Sequence, residues 1–408
     1  MKIKDEILKL MLKNRRYSNG YQYTVPSLKT YPYQWLWDSC FHSIILTNFN
    51  TEDAKKELLS LVSKQFDNGM IPHMIYWEKF NKNDFPVIEW GKTDTSNITQ
   101  PPLIAYSVLR IYQADKDKAF LKKIYPKLKK YYQFLMRERN PKKSHLYGII
   151  NPDESGEDNS SRFDKVLGLP PVHSLDVNFA KRLELVEKQN DCNFESWECM
   201  KDFFWVKDVP FNVICVKGLE DLSIIAKELK LFKDAKEFSQ QAKLTRQAMR
   251  KLMYEDGIYW SVFGNSYERI KIKTWAMFVP MFANLYTYEE AKDLIKKHLL
   301  NKSSFDRKFL LPSVSKDEPS YDPNGPWRGL AKLLSTHLSW RGPIWMAINW
   351  FIYKGLINYG FYDLAGELSK SSLNLVKNFG FRELYNPETG EGMGAKDFSW
   401  GGLVLDMS

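Results

Sequence analysis

The chain has 408 residues, of which 44% are hydrophobic and 15% aromatic, so its composition excludes wholesale disorder and allows one large domain or two ordinary ones. The net charge is +10, but lysine and arginine are spread along the chain among apolar residues. This pattern favours solvated helix faces over a nucleic-acid-binding stripe, and it leaves room for a weak attraction of anionic substrates.

Residues 1–12 alternate charged with apolar side chains and therefore lack the uninterrupted apolar core of a signal peptide. No stretch approaches the length of a membrane span. The cysteines, Cys40, Cys192, Cys199 and Cys215, form no C-x-x-C pair, so we expect reduced thiols and neither a zinc ribbon nor a disulfide framework. These features predict a soluble, cytoplasmic protein.

Helical periodicity dominates the chain, because apolar residues recur at i, i+3 and i+4 in eight segments. In chain order these predicted helices are residues 54–66, 103–113, 120–136, 212–229, 235–253, 288–299, 344–357 and 364–376. The helices occur in pairs that are separated by loops rich in Gly, Asp, Asn and Tyr, as in stacked helical hairpins. We therefore predict an all-α protein. No linker or low-complexity segment divides it, which favours one domain over residues 1–408.

Five long loops interrupt this pattern, at residues 17–38, 67–100, 139–172, 302–343 and 377–400. Long loops in compact folds are frequently functional. Seven tryptophans fall in them: Trp35, Trp37, Trp77, Trp90, Trp327, Trp340 and Trp400. Tryptophan concentrated in loops beside carboxylates indicates a lined pocket more than a core.

Two of these loops are acidic and contain glycine. The first, residues 151–164, offers Asp153, Glu154, Glu157, Asp158 and Asp164, and the second, residues 381–394, offers Glu383, Glu388 and Glu391. A carboxyl group on each of two loops is what glycoside hydrolysis requires, although a turn or helix N-terminus would also explain part of the first loop. Arg162 is expected to orient or ionise a neighbouring carboxylate. The glycines of the second loop would let backbone approach a ligand.

Other chemistries have little support. The six histidines form no H-x-x-x-H pair, and the chain has no G-x-S-x-G elbow or phosphate-binding loop. We therefore expect carboxylate chemistry with no metal and no cofactor.

Five segments resemble glycoside hydrolase family 63 and its small relatives, the mannosylglycerate and glucosylglycerate hydrolases. They are Trp35-Leu36-Trp37-Asp38-Ser39, residues 99–102 (TQPP), residues 154–160 (ESGEDNS), residues 340–345 (WRGPIW) and Glu383-x-Tyr385-x-Pro387. The family's order is kept over most of the chain, and trehalases of family 37 are more distantly similar. The resemblance implies an (α/α)6 toroid barrel with long active-site loops on one face.

The resemblance also implies catalytic roles. Asp158 would be the general acid and Glu383 the general base of an inverting hydrolase, with carboxyl groups about 6.5–9.5 Å apart. A desolvated, aromatic-lined setting would keep Asp158 protonated, and Arg382 or Arg341 would help to keep Glu383 ionised.

For the substrate, the same matches imply a binding set around the innermost sugar. Trp35, Trp37, Asp38, Trp340 and Trp345 would surround this sugar, with Asp38 accepting hydrogen bonds from hydroxyls. Tyr31 and Gln100 would face the leaving group. Arg341 would either join this set or brace the loop that it shares with Trp340.

The chain departs from the glycerate-specific pattern at three places: Ser339, residues 83–86 (NDFP) and Glu157. These differences bear on the leaving group and leave the acid and base untouched. We expect an inverting α-glycoside hydrolase for a small soluble α-glucoside or α-mannoside, namely mannosylglycerate, glucosylglycerate or a disaccharide. The alternatives are a catalytically inactive carbohydrate-binding or regulatory protein, a sugar epimerase, which scarce histidine disfavours, and a nucleic-acid binder. Oligomeric state is left open.

Overall fold

The computed structural model describes residues 3–77, 88, 90–91, 94–194, 196–324 and 339–407. Its α-helices in this part of the chain are α1 (Ile3–Asn14), α2 (Leu36–Thr47), α3 (Thr51–Ser63), α4 (Ile104–Asp115), α5 (Lys118–Glu138), α6 (Leu175–Asp191), α7 (Ser196–Met200), α8 (Val209–Glu228), α9 (Phe232–Leu252), α10 (Tyr288–Leu294), α11 (Met346–Asn358) and α12 (Tyr362–Phe379). Short 3₁₀ segments cover Pro152–Ser155, Ser161–Phe163, Trp275–Met277, Val279–Ala283 and Ser399–Met407, and a π-helical turn covers Ile295–Leu299.

Strands are short and lie in the connections. They are β1 (Arg15–Ser18), β2 (Tyr21–Thr24), β3 (Gln34–Trp35), β4 (Met74–Ile75), β5 (Val206–Lys207), β6 (Tyr254–Glu255), β7 (Ile258–Tyr259), β8 (Ser261–Phe263), β9 (Glu268–Ile270), β10 (Arg382–Tyr385) and β11 (Gly392–Lys396). All described pairs, including β3 with β4 and β10 with β11, are antiparallel.

Six apolar segments form a closed inner ring in which each contacts the next. In order these are α2, α4, α8, the 3₁₀ segment 279–283, α11 and the 3₁₀ segment 399–407, which contacts α2 again. Helix α2 is buried on 11 of its 12 residues and α11 on 9 of its 13. A helix that is apolar all round must be covered on all sides, which explains why these segments lie inside.

A second layer of amphipathic helices covers this ring. Helix α3 packs on α2, α5 on α4 and α8, α9 on α8, and α12 on α11. Each outer helix has one buried stripe and one polar face, as in α9, where Phe238, Ala242 and Met249 face inward. Two concentric helical layers make an (α/α)6 barrel, so the predicted fold is confirmed.

The connections that precede inner segments assemble at one end of the barrel. β3 runs directly into α2 and places Trp35, Trp37 and Asp38 at the start of that helix. Trp345 is the residue before α11, and Ile344 bridges to Tyr385 of β10. The candidate site therefore lies at the N-terminal ends of inner helices.

All eight helices predicted from periodicity are present, with ends shifted by a few residues. Helices α1, α2, α6 and α7 were not predicted. The expectation of reduced thiols holds for the buried Cys40 and Cys215, whereas Cys192 and Cys199 form a disulfide with 6.0 Å between their Cα atoms. Within the described ranges, no helix combines the length and apolar character that crossing a membrane requires.

Candidate active site

An aromatic-walled cavity of about 130 Å³ opens at this end of the barrel and brings the two acidic loops together. Its described lining consists of Pro26, Tyr31, Trp35, Trp37, Asp38, His73, Ile88, Trp90, Gln100, Asp153, Gly156, Asp158, Arg182, Trp340, Trp345, Glu383, Phe398 and Trp400. Nine of the ten residues predicted for catalysis or substrate binding are in this set, and Arg341 is the exception.

Two carboxylates of the first acidic loop, those of Glu154 and Glu157, stabilise its fold. Glu154 is fully buried and accepts hydrogen bonds from the backbone N–H groups of Thr99 and Ile150 and from Arg139, at 2.5–3.0 Å. Glu157 pairs with both terminal nitrogens of Arg162, at 2.8 and 3.0 Å. Glu154 and Glu157 therefore stabilise the fold of the loop, and their role differs from that of Asp158.

Asp158 faces the cavity, with about a third of its side chain exposed (34%). Burial raises the pKa of its carboxyl group, whereas the positive charge of Arg182 lowers it. The Arg182 Nη1 atom lies 2.8 Å from Asp158 Oδ2. The expectation that Arg162 would act on this loop is correct for Glu157, but the arginine beside Asp158 is Arg182.

Glu383 lies in β10 and is almost completely buried (2% exposed). Its Oε1 accepts a hydrogen bond from the Tyr31 hydroxyl at 2.6 Å, and its Oε2 accepts one from the Ala395 N–H at 2.7 Å. Burial raises the pKa of Glu383 to about 7, and these two donors, which favour the ionised form, act in the opposite direction. Arg382 also lowers this pKa, so it fulfils the predicted role for which Arg341 was the other candidate.

Gly394 explains part of the glycine-rich second loop. Its φ of +65° suits glycine, and a Cβ at this position would collide with the Glu383 carboxylate. The glycine therefore lets β11 approach Glu383 closely enough for the Ala395 N–H to donate. The sequence predicted that these glycines let the backbone approach a ligand. At Gly394 the backbone instead approaches the carboxylate of Glu383.

Aromatic rings form the walls of the cavity. Trp340 and Trp345 stack with 3.8 Å between ring centroids and an angle of 4° between their planes. Trp400 packs against Trp345 at 5.6 Å and against Trp37 at 5.2 Å. Such flat apolar faces suit the apolar faces of a sugar ring.

Two polar groups complete the wall at the start of α2. Trp400 Nε1 donates to Asp38 Oδ1 at 2.7 Å, and burial raises the pKa of Asp38 to about 6. Gln100 Oε1 accepts a hydrogen bond from the Trp37 N–H at 3.2 Å. Both side chains reach the cavity, where Asp38 offers a second oxygen to hydroxyl groups.

Arg341 lies outside the cavity lining and braces the neighbouring loop. Its terminal nitrogens pair with both oxygens of Asp164, at 2.7 and 2.5 Å, and its Nε donates to the Asn159 carbonyl at 3.0 Å. Of the two predicted roles for Arg341, the geometry supports the bracing role.

Several cavity residues escaped sequence reasoning. Asp153, Arg182 and His73 line the cavity, although the sequence offered Asp153 only as one of five acids in its loop. Arg182 lies in α6, a mostly polar helix whose sequence carries no sign of the contact.

Two of the tryptophans in the long loops, Trp90 and Trp400, line the cavity, as their position in those loops indicated. Of the others, Trp77 donates to Gln34 at 2.7 Å away from the cavity, and Trp327 lies outside the described residues.

The three departures from the glycerate-specific pattern differ in position. Glu157 is buried against Arg162 and Trp275 and does not reach the cavity. The Ser339 carbonyl accepts a hydrogen bond from Trp345 Nε1 at 3.0 Å, so its backbone supports the tryptophan pair. Residues 83–86 lie outside the described part of the chain.

Three carboxylates that could bind a cation are already paired with a lysine of the protein. Among the described residues, the carboxylates of Glu52, Asp115 and Asp117 converge, away from the cavity. The Lys55 Nζ atom lies 2.6–2.7 Å from each of the three. The ammonium group therefore occupies the position that a cation would take.

Comparison with known proteins identifies the family to which this chain is similar. A family model described as "Mannosylglycerate hydrolase MGH1-like glycoside hydrolase domain" matches residues 31–401. A mannosylglycerate hydrolase of Thermus thermophilus is 33% identical, with 95% of this chain and 96% of that protein covered. Mannosylglycerate hydrolase MGH2 of Selaginella moellendorffii is 31% identical, with 93% of this chain and 80% of that protein covered.

A solved structure agrees with the fold. The crystal structure of a family 63 mannosylglycerate hydrolase from Thermus thermophilus in complex with Tris superposes with a TM-score of 0.87. The two sequences are 30% identical, and 99% of each chain is covered.

Proposed function

Because this chain belongs to the mannosylglycerate hydrolase MGH1-like family of glycoside hydrolases, we propose that it hydrolyses α-mannosylglycerate with inversion at the anomeric carbon. The observation that carries the proposal is that Asp158 and Glu383 face one aromatic-walled cavity. Other acids of their loops are engaged in ion pairs, Glu154 with Arg139, Glu157 with Arg162 and Glu388 with Arg307. Of the loop acids that line the cavity, Asp153 is held bidentately by Arg182, which leaves Asp158 and Glu383 for acid and base.

The reaction needs a proton donor and a proton acceptor on opposite faces of the sugar. Asp158 gives its proton to the glycosidic oxygen as the bond from that oxygen to the anomeric carbon breaks. Glu383 takes a proton from a water molecule whose oxygen bonds to the anomeric carbon. The products are the free sugar with inverted configuration and the alcohol of the leaving group.

The assignment of roles rests on hydrogen-bond donors. Both Glu383 oxygens accept hydrogen bonds, which favours the ionised form that a base requires. Asp158 is held by the acid-bearing loop next to the cavity and meets a second acid, Asp153, across Arg182. The negative charge of Asp153 raises the pKa of Asp158, which suits a proton donor.

The leaving group is the finer part of the proposal. Within the described lining, Arg182 is the only lysine or arginine, and it is paired with Asp153 and Asp158, while Asp38 and Glu383 add two further acids. This excess of acidic groups favours a second candidate substrate, a neutral α-linked disaccharide. Glycerate remains the first candidate because the family relatives named above act on its mannoside.

A substrate panel tests the proposal. The purified protein is offered α-mannosylglycerate, α-glucosylglycerate, trehalose and α-mannobiose, and proton NMR follows the anomer that is released. We expect mannosylglycerate to be turned over fastest and to release the β-anomer first. Retention of configuration, or a neutral disaccharide as the best substrate, contradicts the corresponding part of the proposal.

Two variants separate a hydrolase from a sugar-binding protein. Asp158→Asn and Glu383→Gln are expected to lower kcat by about 10³-fold or more while calorimetry still detects sugar binding. Arg341→Lys serves as a control for loop disturbance, because it alters a bracing contact outside the cavity. Wild-type protein that binds a panel sugar and hydrolyses none of them would support the inactive carbohydrate-binding alternative.

A further inference from the structure

Arg182 bridges the general acid and a second aspartate. Its Nε and Nη2 atoms lie 3.0 and 2.6 Å from the two oxygens of Asp153, which makes a bidentate pair, and its Nη1 lies 2.8 Å from Asp158 Oδ2. The guanidinium group is nearly inaccessible, with 6% of its side chain exposed. It extends from α6, which also donates a hydrogen bond of 2.6 Å from Gln189 to the carbonyl of Ile150, the residue before the acidic loop.

The net charge of the cluster formed by Asp153, Arg182 and Asp158 determines which aspartate holds a proton. With both aspartates ionised, the three side chains carry one net negative charge, and two of them, Arg182 and Asp153, are mostly buried. Adding one proton makes the cluster neutral. Asp153 accepts two charge-assisted hydrogen bonds from Arg182 and Asp158 accepts one, so the proton is held more easily by Asp158.

Neighbouring groups on other elements act in the same direction or are neutral. Glu383 of β10 is close enough for the charge of Asp158 to raise its pKa, so the two carboxylates repel each other. The same charge reaches Tyr31 before β3, a phenol that is neutral near pH 7, and Asp38 adds a further acid on the cavity wall. His73 stays uncharged, because burial lowers its pKa to about 4. The Asn159 N–H opposes these groups and favours ionised Asp158.

We infer that Asp153 is a positioning residue for the general acid: it binds Arg182 so that the charge-balanced form of the cluster is the one with Asp158 protonated. Without Asp153, the balanced form would be Arg182 paired with ionised Asp158, which has no proton to give. The inference rests on the proposed function, since it concerns the acid of that reaction.

The alkaline limb of the pH profile tests this role, because activity falls as the general acid loses its proton. Asp153→Asn keeps the shape of the side chain and removes its charge. We expect the alkaline limb of kcat/KM for α-mannosylglycerate to move to lower pH by about one to two units. With α-mannosyl fluoride, whose leaving group departs without a proton, the variant should retain its rate within about threefold.

Asp164→Asn is the matched control. It removes the charge of an equally buried aspartate on the same loop that also holds an arginine bidentately, here Arg341, without touching Asp158. We expect it to lower thermal stability and leave the alkaline limb in place. An unmoved limb in Asp153→Asn, or an equal loss of rate on both substrates, would overturn the inference and leave Asp153 a structural residue.

Arg182 gives a second test that does not depend on the folding of Asp153→Asn. Arg182→Gln removes the charge that favours ionised Asp158, so its alkaline limb should move to higher pH. In the double variant Asp153→Asn/Arg182→Gln both charges are gone, and the limb should return towards the wild-type position. A limb that moves down in Arg182→Gln contradicts the charge balance.

The failure of the inference can be told from failure of the proposed function. If wild-type protein hydrolyses the fluoride but no glycerate glycoside, the substrate proposal is wrong, and the limb is measured on the panel glycoside that is turned over. If wild-type protein hydrolyses mannosylglycerate and the variants keep its pH profile, only the role of Asp153 is wrong.

Discussion

At the scale of single residues, burial and hydrogen-bond donors set the chemistry of the two carboxyl groups. Burial raises the pKa of both, so each would tend to keep its proton. Tyr31 and the Ala395 N–H favour ionised Glu383, whereas Asp153 favours protonated Asp158. Two similar side chains in one cavity are thereby suited to different tasks.

Tyr31→Phe should show how much of this difference the phenol provides. Removing a donor that lowers the pKa of Glu383 leaves that pKa higher than about 7, so more alkaline conditions are needed to ionise the base. The acid limb of kcat/KM should therefore move to higher pH, by about one unit. Tyr33→Phe, a change at a tyrosine of the same segment outside the cavity lining, controls for general effects. A limb that moves to lower pH would contradict the prediction.

At the scale of elements, the sequence predicts the covering helices α3, α5, α9 and α12 and the inner helices α4, α8 and α11, but it misses the other three segments of the inner ring. Outer helices such as α9 and α12 have one apolar stripe, which periodicity detects. Helix α2 is buried on nearly every residue and so has no contrasting face, and Val279–Ala283 is only five residues long. Arg182 was missed for another reason: its contacts to Asp153 and Asp158 span α6 and a loop, and no local pattern reports them.

The turn that carries Asp158 depends on Gly156, whose φ is +76°. A Cβ there would overlap the indole ring of Trp37, so Gly156→Ala forces the loop away from α2 or strains the backbone. We expect kcat/KM to fall at least about tenfold and the free energy of unfolding to drop by about 1–3 kcal/mol. Gly168→Ala tests the backbone effect alone, because its φ is also positive but a Cβ there meets nothing within 4 Å. Equal effects of both substitutions would refute the contact with Trp37.

At the scale of the whole molecule, the barrel is closed by its last segment. Asp406 of the 399–407 segment pairs with Arg110 of α4 at 2.8 Å and with Lys354 of α11 at 2.9 Å, and Trp350 Nε1 donates to it at 2.8 Å. One carboxylate thus joins three members of the inner ring. The ordered motifs of the sequence were enough to indicate this fold, while the ring's closure is visible only in three dimensions.

Asp406→Ala is expected to lower the free energy of unfolding by about 3 kcal/mol, because it leaves the buried Trp350 N–H without its acceptor and removes the carboxylate paired with Lys354, which keeps only the backbone carbonyl of residue 406. Urea unfolding followed by tryptophan fluorescence measures the change. Lys13→Ala removes an exposed ion pair with Asp397 at the surface and should cost less than about 1 kcal/mol. Comparable losses in the two variants would argue against ring closure by Asp406.

The buried base also has a consequence for folding. A carboxyl group whose pKa rises from 4.5 in the unfolded chain to about 7 in the folded protein contributes stability below pH 4.5, and this contribution is lost as the pH rises through 7. The ionised base that hydrolysis needs therefore weakens the fold under the conditions in which it works. Glu383→Gln should unfold at higher urea concentration than wild type at pH 8 and at a similar one at pH 5. An inactive protein that is harder to unfold would mark this cavity as a place where function and stability compete.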